Sequence, residues 1–328
     1  MDTAAFHVGI LPNRPVTEIA EVAAEADRLG FGGIWVADSQ SIFRDAFQAL
    51  AVCATRTSRL QLATGVTNPV TRHLAVVASA IATLNELSGG RAVLGIGVGE
   101  SAVRTIGLQP ARLAELEAAT YALRALLAGE PAQVNGHEVR QGWSGGTVPI
   151  VYAASGPRAL RLAGRIADGV LFQVGADPGL VRYGLESIGA GVREAGRADT
   201  DVRRILRLAC VVDADRERAR GQARGYVAAA AGTVHWAVPP ERMPPGLYDD
   251  LTRMKERYDY AKHASGDAEH AALITDLVID TMGIAGTPDD AVPRFRELAA
   301  LGVDAFCITT GDPLQTMRVL AEHVIPLV

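Results

Sequence analysis

What most limits the folds open to this chain is a repeated alternation of short β-branched runs with amphipathic helices along its length. Strands are predicted at residues 6–11, 33–37, 60–66, 92–98, 148–153, 169–174, 204–212 and 305–309. Helical spacing of apolar residues predicts helices opening at Pro15 and near 74–87, 111–127, 157–166, 178–195, 215–231, 288–301 and 314–324. In the first of them Ile19, Val22, Ala23, Ala26 and Leu29 share one face, and Gly30 supplies a left-handed stop. Thr287-Pro288-Asp289-Asp290 opens a later helix with a hydroxyl cap, a proline in the first turn and acids at the positive end of the dipole. Strands that each return through a helix run parallel, so the expected class is α/β, most economically a single (β/α)8 TIM barrel over residues 1–328. An open doubly wound sheet is the alternative.

Residues 232–281 break the rhythm, with Pro239-Pro240, Pro244-Pro245 and helical stretches at 248–263 and 269–280. Long insertions on barrels sit over the ligand face. Trp236, Pro239, Met243 and Tyr248 are therefore expected to close over a substrate or to pack against a neighbouring subunit. A satellite helical hairpin without a ligand role stands as the other reading. Asn135-Gly136 and Gly145-Gly146 mark a turn-rich link between the two halves.

Charge excludes one class of partner. With 32 Lys and Arg against 37 Asp and Glu the chain carries −5, so no net positive field draws in nucleic acid. Hydrophobic residues at 48% and charged ones at 21% rule out disorder. Cys53, Cys210 and Cys307 are too few and too scattered for a disulfide framework or a structural zinc. The seven histidines, at 7, 73, 137, 235, 263, 270 and 323, lack metal-binding spacing, so no metal is expected. The first residues, Met1-Asp2-Thr3 onward, do not read as a signal peptide, and no apolar run is long enough to span a membrane. The expectation is a soluble cytoplasmic protein.

Chemistry in a barrel gathers at the C-terminal ends of its strands. Four strand ends here carry unusual residues: Asp38; Gly65-Val66-Thr67-Asn68-Pro69; Gly95-Ile96-Gly97-Val98-Gly99-Glu100; and Ala154-Ser155-Gly156-Pro157-Arg158. The Gly-x-Gly-x-Gly run lacks the glycine spacing and the downstream acid of a Rossmann fingerprint. Its small residues, Gly97, Val98 and Gly99 among them, let a flat ring lie against the backbone, or serve only close strand packing. Glu100, an acid beside glycines with no obvious partner in sequence, is the candidate proton donor, with a solvated rim carboxylate or a cap as the bland reading. Ser155-Gly156-Pro157-Arg158 opens a helix, where free N–H groups and the dipole hold a phosphate, or where a serine merely caps. Asp38 contacts a ligand or joins Arg44-Asp45 in a loop ion pair. Ser155, preceded by Ala-Ala, is not a nucleophile elbow.

At these loops the chain resembles the luciferase-like flavin- and deazaflavin-dependent oxidoreductases, and most of all their methylenetetrahydromethanopterin reductase-like branch. The resemblance is carried by Gly65 to Pro69, Ala78-Ser79-Ala80-Ile81-Ala82-Thr83-Leu84, Glu86-Leu87-Ser88, Gly90-Arg91-Ala92 and Leu94-Gly95-Ile96-Gly97. Gly156-Pro157-Arg158, Leu162-Ala163-Gly164-Arg165, Ala167-Asp168-Gly169 and Gly286-Thr287-Pro288-Asp289 extend it almost end to end. It implies a homodimeric (β/α)8 barrel with a flavin-type ring lying across the strand ends. It implies further a non-proline cis peptide at Gly65–Val66, ring contacts from Asp38 and Asn68, and cofactor phosphate held by Ser155, Gly156, Arg158 and Ala159.

The Gly-Pro-Arg and Leu-Ala-Gly-Arg spellings look more like members using coenzyme F420 than like FMN monooxygenases. The resemblance thus implies hydride transfer between F420 and a small organic substrate, with Glu100 in the place of a proton-transferring acid. An FMN-dependent monooxygenase using O2 is the alternative, and a non-catalytic flavin-binding barrel a third. A separate flavin or F420 reductase is the partner implied. Two departures stand out. Pterin reductases of the family carry a glutamate at the end of the first strand, where this chain has Gly9-Ile10-Leu11-Pro12, and many members carry a histidine where Ser39 follows Asp38.

Overall fold

The computed structural model describes residues 4–259 and 268–328. Met1-Asp2-Thr3, His263 and residues 260–263 of the expected helix at 248–263 lie outside the described residues. Eleven strands are found among those described: β1 (Ala5–Ile10), β2 (Gly33–Val36), β3 (Gln61–Thr64), β4 (Ala92–Ile96), β5 (Ala132–Val134), β6 (His137–Val139), β7 (Ile150–Ala154), β8 (Gly169–Phe172), β9 (Arg203–Val212), β10 (Gly283–Gly286) and β11 (Ala305–Thr309). The large sheet runs β10-β9-β11-β1-β2-β3-β4-β7-β8, and β8 pairs again with β9. Eight strands therefore close on themselves, with parallel registers at β11–β9, β2–β3, β3–β4 and β4–β7. This is the (β/α)8 barrel, and its eight strands are the eight predicted; an open sheet is excluded by the closing pair.

Strands β5, β6 and β10 and the helices Ala46–Ala54 and Ser101–Arg104 were not predicted. β10 pairs in parallel with Ala209–Val212 of the long strand β9. β5 and β6 form an antiparallel hairpin over Asn135-Gly136, both at positive φ (53° and 79°), which turns the expected link into a tight two-residue turn. A helix at Ala46–Ala54 follows β2, capped by Asp45, whose Oδ1 accepts the Gln48 N–H at 3.0 Å.

The chain divides into two compact units. One comprises Gly9–Ala153 with Ile166–Gly169. Here Arg91, part of the Gly-Arg-Ala motif, donates to the carbonyls of Leu60 (2.8 Å), Thr57 (3.0 Å) and Ser88 (2.8 Å), and so fixes the approach to β3. Asp168 accepts the Ile150 N–H at 2.7 Å and Arg124 at 2.8 Å, fixing the start of β7.

The second unit comprises residues up to Val8, Ala154–Arg165 and Val170–Val328. The insertion is a set of helices inside it, and residues 232–237 complete the long helix Arg216–Ala237. Leu247–Glu256 buries Leu247, Leu251 and Met254, while the stretch expected at 269–280 splits into Glu269–Ala272 and Asp276–Met282. Met243, expected at a lid or subunit contact, is instead 9% exposed and packs in the core; Trp236 remains 61% exposed, and Tyr248 stacks on His235 at 5.1 Å. Among the described residues no helix is long and apolar enough to cross a membrane, and no cluster of His, Cys, Asp or Glu is placed to hold a metal. All three cysteines are buried, and burial pushes each thiol up to about 12.

Phe6, Phe295 and Phe306 form an aromatic cluster with centroids 4.9–5.3 Å apart. Phe295 belongs to the helix Pro288–Ala300, so Phe6 faces that helix and His7, its neighbour in β1, faces the opposite side. His7 is fully buried with Arg203 Nη2 3.3 Å from its Nε2. Burial, and then the Arg203 charge, push its pKa from 6.5 down to about 3. Below pH 6.5 the unfolded chain takes up a proton that the native state refuses. Stability from this group is therefore whole above pH 6.5 and falls by about 1.4 kcal/mol per pH unit toward pH 3. Between pH 7 and 5 the parent should lose about 2 kcal/mol more stability in urea unfolding than His7→Gln. Equal losses would clear His7 of the effect.

Candidate functional site

In the first unit three strand ends converge through their loops. Gly65 N–H donates to the Val36 carbonyl at 2.7 Å, and the Gly65–Val66 peptide that follows is cis. The cis bond is thus present at the peptide where the resemblance put it. Beyond it Thr67 bridges Ile96, one residue out of step with the Ala63–Val93 pair, so β3 carries a one-residue bulge opposite β4. Thr67 N–H donates to Gly95 O at 2.9 Å, and Gly97 N–H to Thr67 O at 3.0 Å.

The two explanations of the glycine run separate by position. A Cβ on Gly95 would lie 2.0 Å from the Thr64 carbonyl oxygen, and one on Gly65 would lie 2.9 Å from the Trp35 backbone. Internal packing alone demands both glycines. Gly99 has φ +83°, and its Cβ would strike Val103 at 2.4 Å. Gly97 is the least constrained: its Cβ would meet Val66 Cγ2 at 3.3 Å and Ala153 Cβ at 3.5 Å. Val98 follows it, half-buried, and its carbonyl accepts the Ala111 N–H at 2.9 Å.

Asn68 is buried, and its Oδ1 accepts the N–H groups of Val70 (3.0 Å) and Thr71 (2.9 Å) in an Asx turn. Those two bonds fix the amide orientation and aim Nδ2 away from the turn. Asn68 Nδ2, Thr67 Oγ1 and Thr71 Oγ1 are buried without a hydrogen-bond partner. Leaving such a group unsatisfied costs about 1–3 kcal/mol, so three on one loop mark a place built for a polar ligand edge.

Asp38 does not pair with Arg44, whose guanidinium reaches the Pro12 carbonyl instead. Arg72 from the loop after β3 takes both Asp38 oxygens and also donates to Asp45 Oδ2 at 2.8 Å. Arg72 was missed because its acidic partners lie 34 and 27 positions away, with no local spacing to reveal them.

Glu100 corrects an expectation. It has a partner, Arg104 Nε at 2.8 Å, and its side chain is 43% exposed. It precedes the short helix Ser101–Arg104 without capping it by its side chain. That helix is tied to the loop after β2 by a Ser39–Ser101 hydroxyl pair at 2.8 Å and by Gln40 Nε2 donating to Ala102 O at 2.7 Å. Ser39 thus holds the turn that carries Glu100.

The second unit holds the fourth loop. Gly156, not Ser155, opens the helix Pro157–Ile166, its carbonyl accepting the Leu160 N–H at 2.9 Å. The serine-cap explanation fails. Ser155 is buried, Gly156 and Ala159 are half-buried and Arg158 is exposed, while the Ala237 carbonyl lies 3.4 Å from a Cβ built on Gly156. The first N–H donors of this helix, Arg158 and Ala159, have no intrahelical partner to serve. A further polar group missed in sequence is Asp213 at the end of β9. It is buried, bonded by Arg218 and by Gln315 Nε2 at 3.1 Å, and held below the ordinary carboxylate range by Arg218 and the Asp215 N–H.

A family model described as luciferase-like monooxygenase matches residues 2–305. A 5,10-methylenetetrahydromethanopterin reductase of Methanolobus tindarius is 35% identical, covering 94% of each chain. An F420-dependent glucose-6-phosphate dehydrogenase of Nakamurella multipartita is also 35% identical, over 94% of this chain and 92% of its own. In three dimensions the coenzyme F420-dependent tetrahydromethanopterin reductase of Methanopyrus kandleri superposes with a TM-score of 0.81, at 25% identity and 99% coverage of both chains. With the barrel and these matches over nearly its whole length, the chain belongs to the luciferase-like monooxygenase family.

Proposed function

We propose that this protein is an F420-dependent oxidoreductase that moves a hydride between the cofactor and a small organic substrate. The observation that carries this reading is the loop after β3, where three buried polar groups, Thr67 Oγ1, Asn68 Nδ2 and Thr71 Oγ1, lack protein partners. Relatives from two substrate classes, a pterin reductase and a sugar-phosphate dehydrogenase, are both 35% identical, so cofactor chemistry is the common ground and substrate the variable.

In this reading Asn68 Nδ2 donates to the ring's acceptor edge, Asp38 accepts from a ring or substrate donor, and Gly97, Val98 and Gly99 leave room for its face. Ser155, Gly156, Arg158 and Ala159 hold the cofactor phosphate at the start of the helix Pro157–Ile166. F420, when bound, supplies the hydride chemistry. Glu100, whose Oε1 accepts from Arg104 Nε, donates or accepts the accompanying proton at a carboxyl oxygen. The reading carries with it one domain with a helical insertion at about 232–281, a cytoplasmic homodimer, and a separate F420 reductase to recycle the cofactor.

Titration with F420 and separately with FMN, followed by ring absorbance and fluorescence, tests it. Micromolar or tighter binding of F420 with negligible FMN affinity is expected. Preference for FMN would replace the reading with an oxygen-using monooxygenase, and binding of neither would remove the cofactor assignment.

A further inference from the structure

We infer that Arg72 is the positioning residue of this site, acting through Asp38. The inference rests on the F420 reading above, in which Asp38 faces the bound ligand. Asp38 lies two residues beyond β2 with its side chain 1% exposed, and Arg72 reaches it from the loop after β3 with 17% exposure. Nη1 and Nη2 bond one carboxylate oxygen each, and Nη2 bonds Asp45 Oδ2 as well.

Arg72 is itself held from a third side. Its guanidinium lies 5.2 Å above the Phe47 ring centroid. Asp45 is anchored as the cap of the helix Ala46–Ala54, so a fixed helix start sets the guanidinium and the guanidinium sets Asp38. The same loop carries Asn68, whose turn is completed by the Val70 and Thr71 N–H groups two and three residues on. One loop, residues 65–73, therefore orients both an amide donor and, through Arg72, a carboxylate acceptor.

A planar fork fixes a carboxylate in direction as well as in charge, which a lysine ammonium does not. Two carboxylates share one guanidinium, so the cluster has a formal charge of −1, with Asp38 buried and Asp45 at its open side. Burial opposes the Arg72 charge, yet Asp38 and then Asp45 more than offset it. The unshared lone pairs of Asp38 are thereby presented as acceptors for an N–H or O–H of the ligand. A neutral acceptor edge gains nothing from this carboxylate, so the clamp discriminates among ligands by their donor pattern.

F420 titration of the parent, Arg72→Met, Asp38→Asn and the double variant tests the inference, with thermal melts to monitor folding. Arg72→Met is expected to weaken F420 binding about 30-fold, and Asp38→Asn by a similar factor. In the double variant the losses should not multiply, because Arg72 acts only through Asp38. Millimolar guanidinium should restore most of the affinity of Arg72→Met and none of that of the double variant. Multiplying losses without guanidinium rescue would make Arg72 a general support of the fold and overturn the inference, as would parent-like binding by Arg72→Met. If Arg72→Met does not fold, Arg72→Lys keeps the charge and loses the fork; weaker F420 binding supports the inference and unchanged binding overturns it. Failure of the parent itself to bind F420 would instead remove the reading on which the inference rests, and both would fall.

Discussion

Glu100→Gln should fold and bind F420 as the parent does, and turn over about 10²–10⁴-fold more slowly, the range that a positioned acid or base contributes. The substitution is nearly isosteric, and an amide oxygen can still accept from Arg104. What it loses is the capacity to take up or give a proton. Little stability should go with it. The Glu100–Arg104 pair is half open to solvent, with side chains 43% and 50% exposed, and such pairs contribute about 0–1 kcal/mol. The helix Ser101–Arg104 keeps its other ties, Ser39 to Ser101 and Gln40 to Ala102. Single-turnover measurement with bound F420 separates chemistry from binding. An unchanged rate would take Glu100 out of the mechanism and leave it as the rim carboxylate that its exposure also allows.

The Glu100–Arg104 pair was legible and overlooked, since an acid four residues before an arginine is helical pairing distance. Arg72 was not legible in that way: Asp38, Asp45 and Arg72 meet only after β2 and β3 are paired. The strands were readable because both faces of a parallel sheet are covered, which makes each strand a continuous apolar run. β10 escaped because Gly-Ile-Ala-Gly is four residues with two glycines. The helix Ala46–Ala54 escaped for the opposite reason: Ala-Phe-Gln-Ala-Leu-Ala-Val-Cys-Ala has a single polar member and therefore no polar face to mark the period.

Resemblance and role also part company at particular residues. Arg91 and Asp168 lie in motifs that identify the family, yet Arg91 satisfies loop carbonyls before β3 and Asp168 anchors the start of β7. Motifs persist where a fold needs them as well as where a reaction does. The orphaned donors of Thr67, Asn68 and Thr71 carry the opposite signature, since the protein has no use for them by itself.

Gly95→Ala should destabilise the protein by about 3 kcal/mol or more, a fall in Tm of roughly 4 °C or more for a chain of 328 residues. The added Cβ would sit 2.0 Å from the Thr64 carbonyl oxygen, 2.9 Å from Val66 Cγ1 and 3.0 Å from Trp35 Cζ3. A flexible side chain could step aside, but the nearest atom is backbone. Thr64 cannot withdraw cheaply, because its Oγ1 donates to the Gly95 carbonyl at 2.7 Å and the same carbonyl accepts Thr67 N–H at 2.9 Å. Any shift that relieves the clash therefore loosens the pairing that carries the bulge and presents Asn68. Gly221→Ala is the informative contrast. It lies within the helix Arg216–Ala237, a Cβ there would meet nothing within 4 Å, and the exchange should stabilise the protein by about 0.5–1 kcal/mol. Thermal melts of the two variants decide the matter. If Gly95→Ala melts with the parent, close packing does not explain this glycine, and the space beside Trp35 belongs to something other than the protein's own backbone.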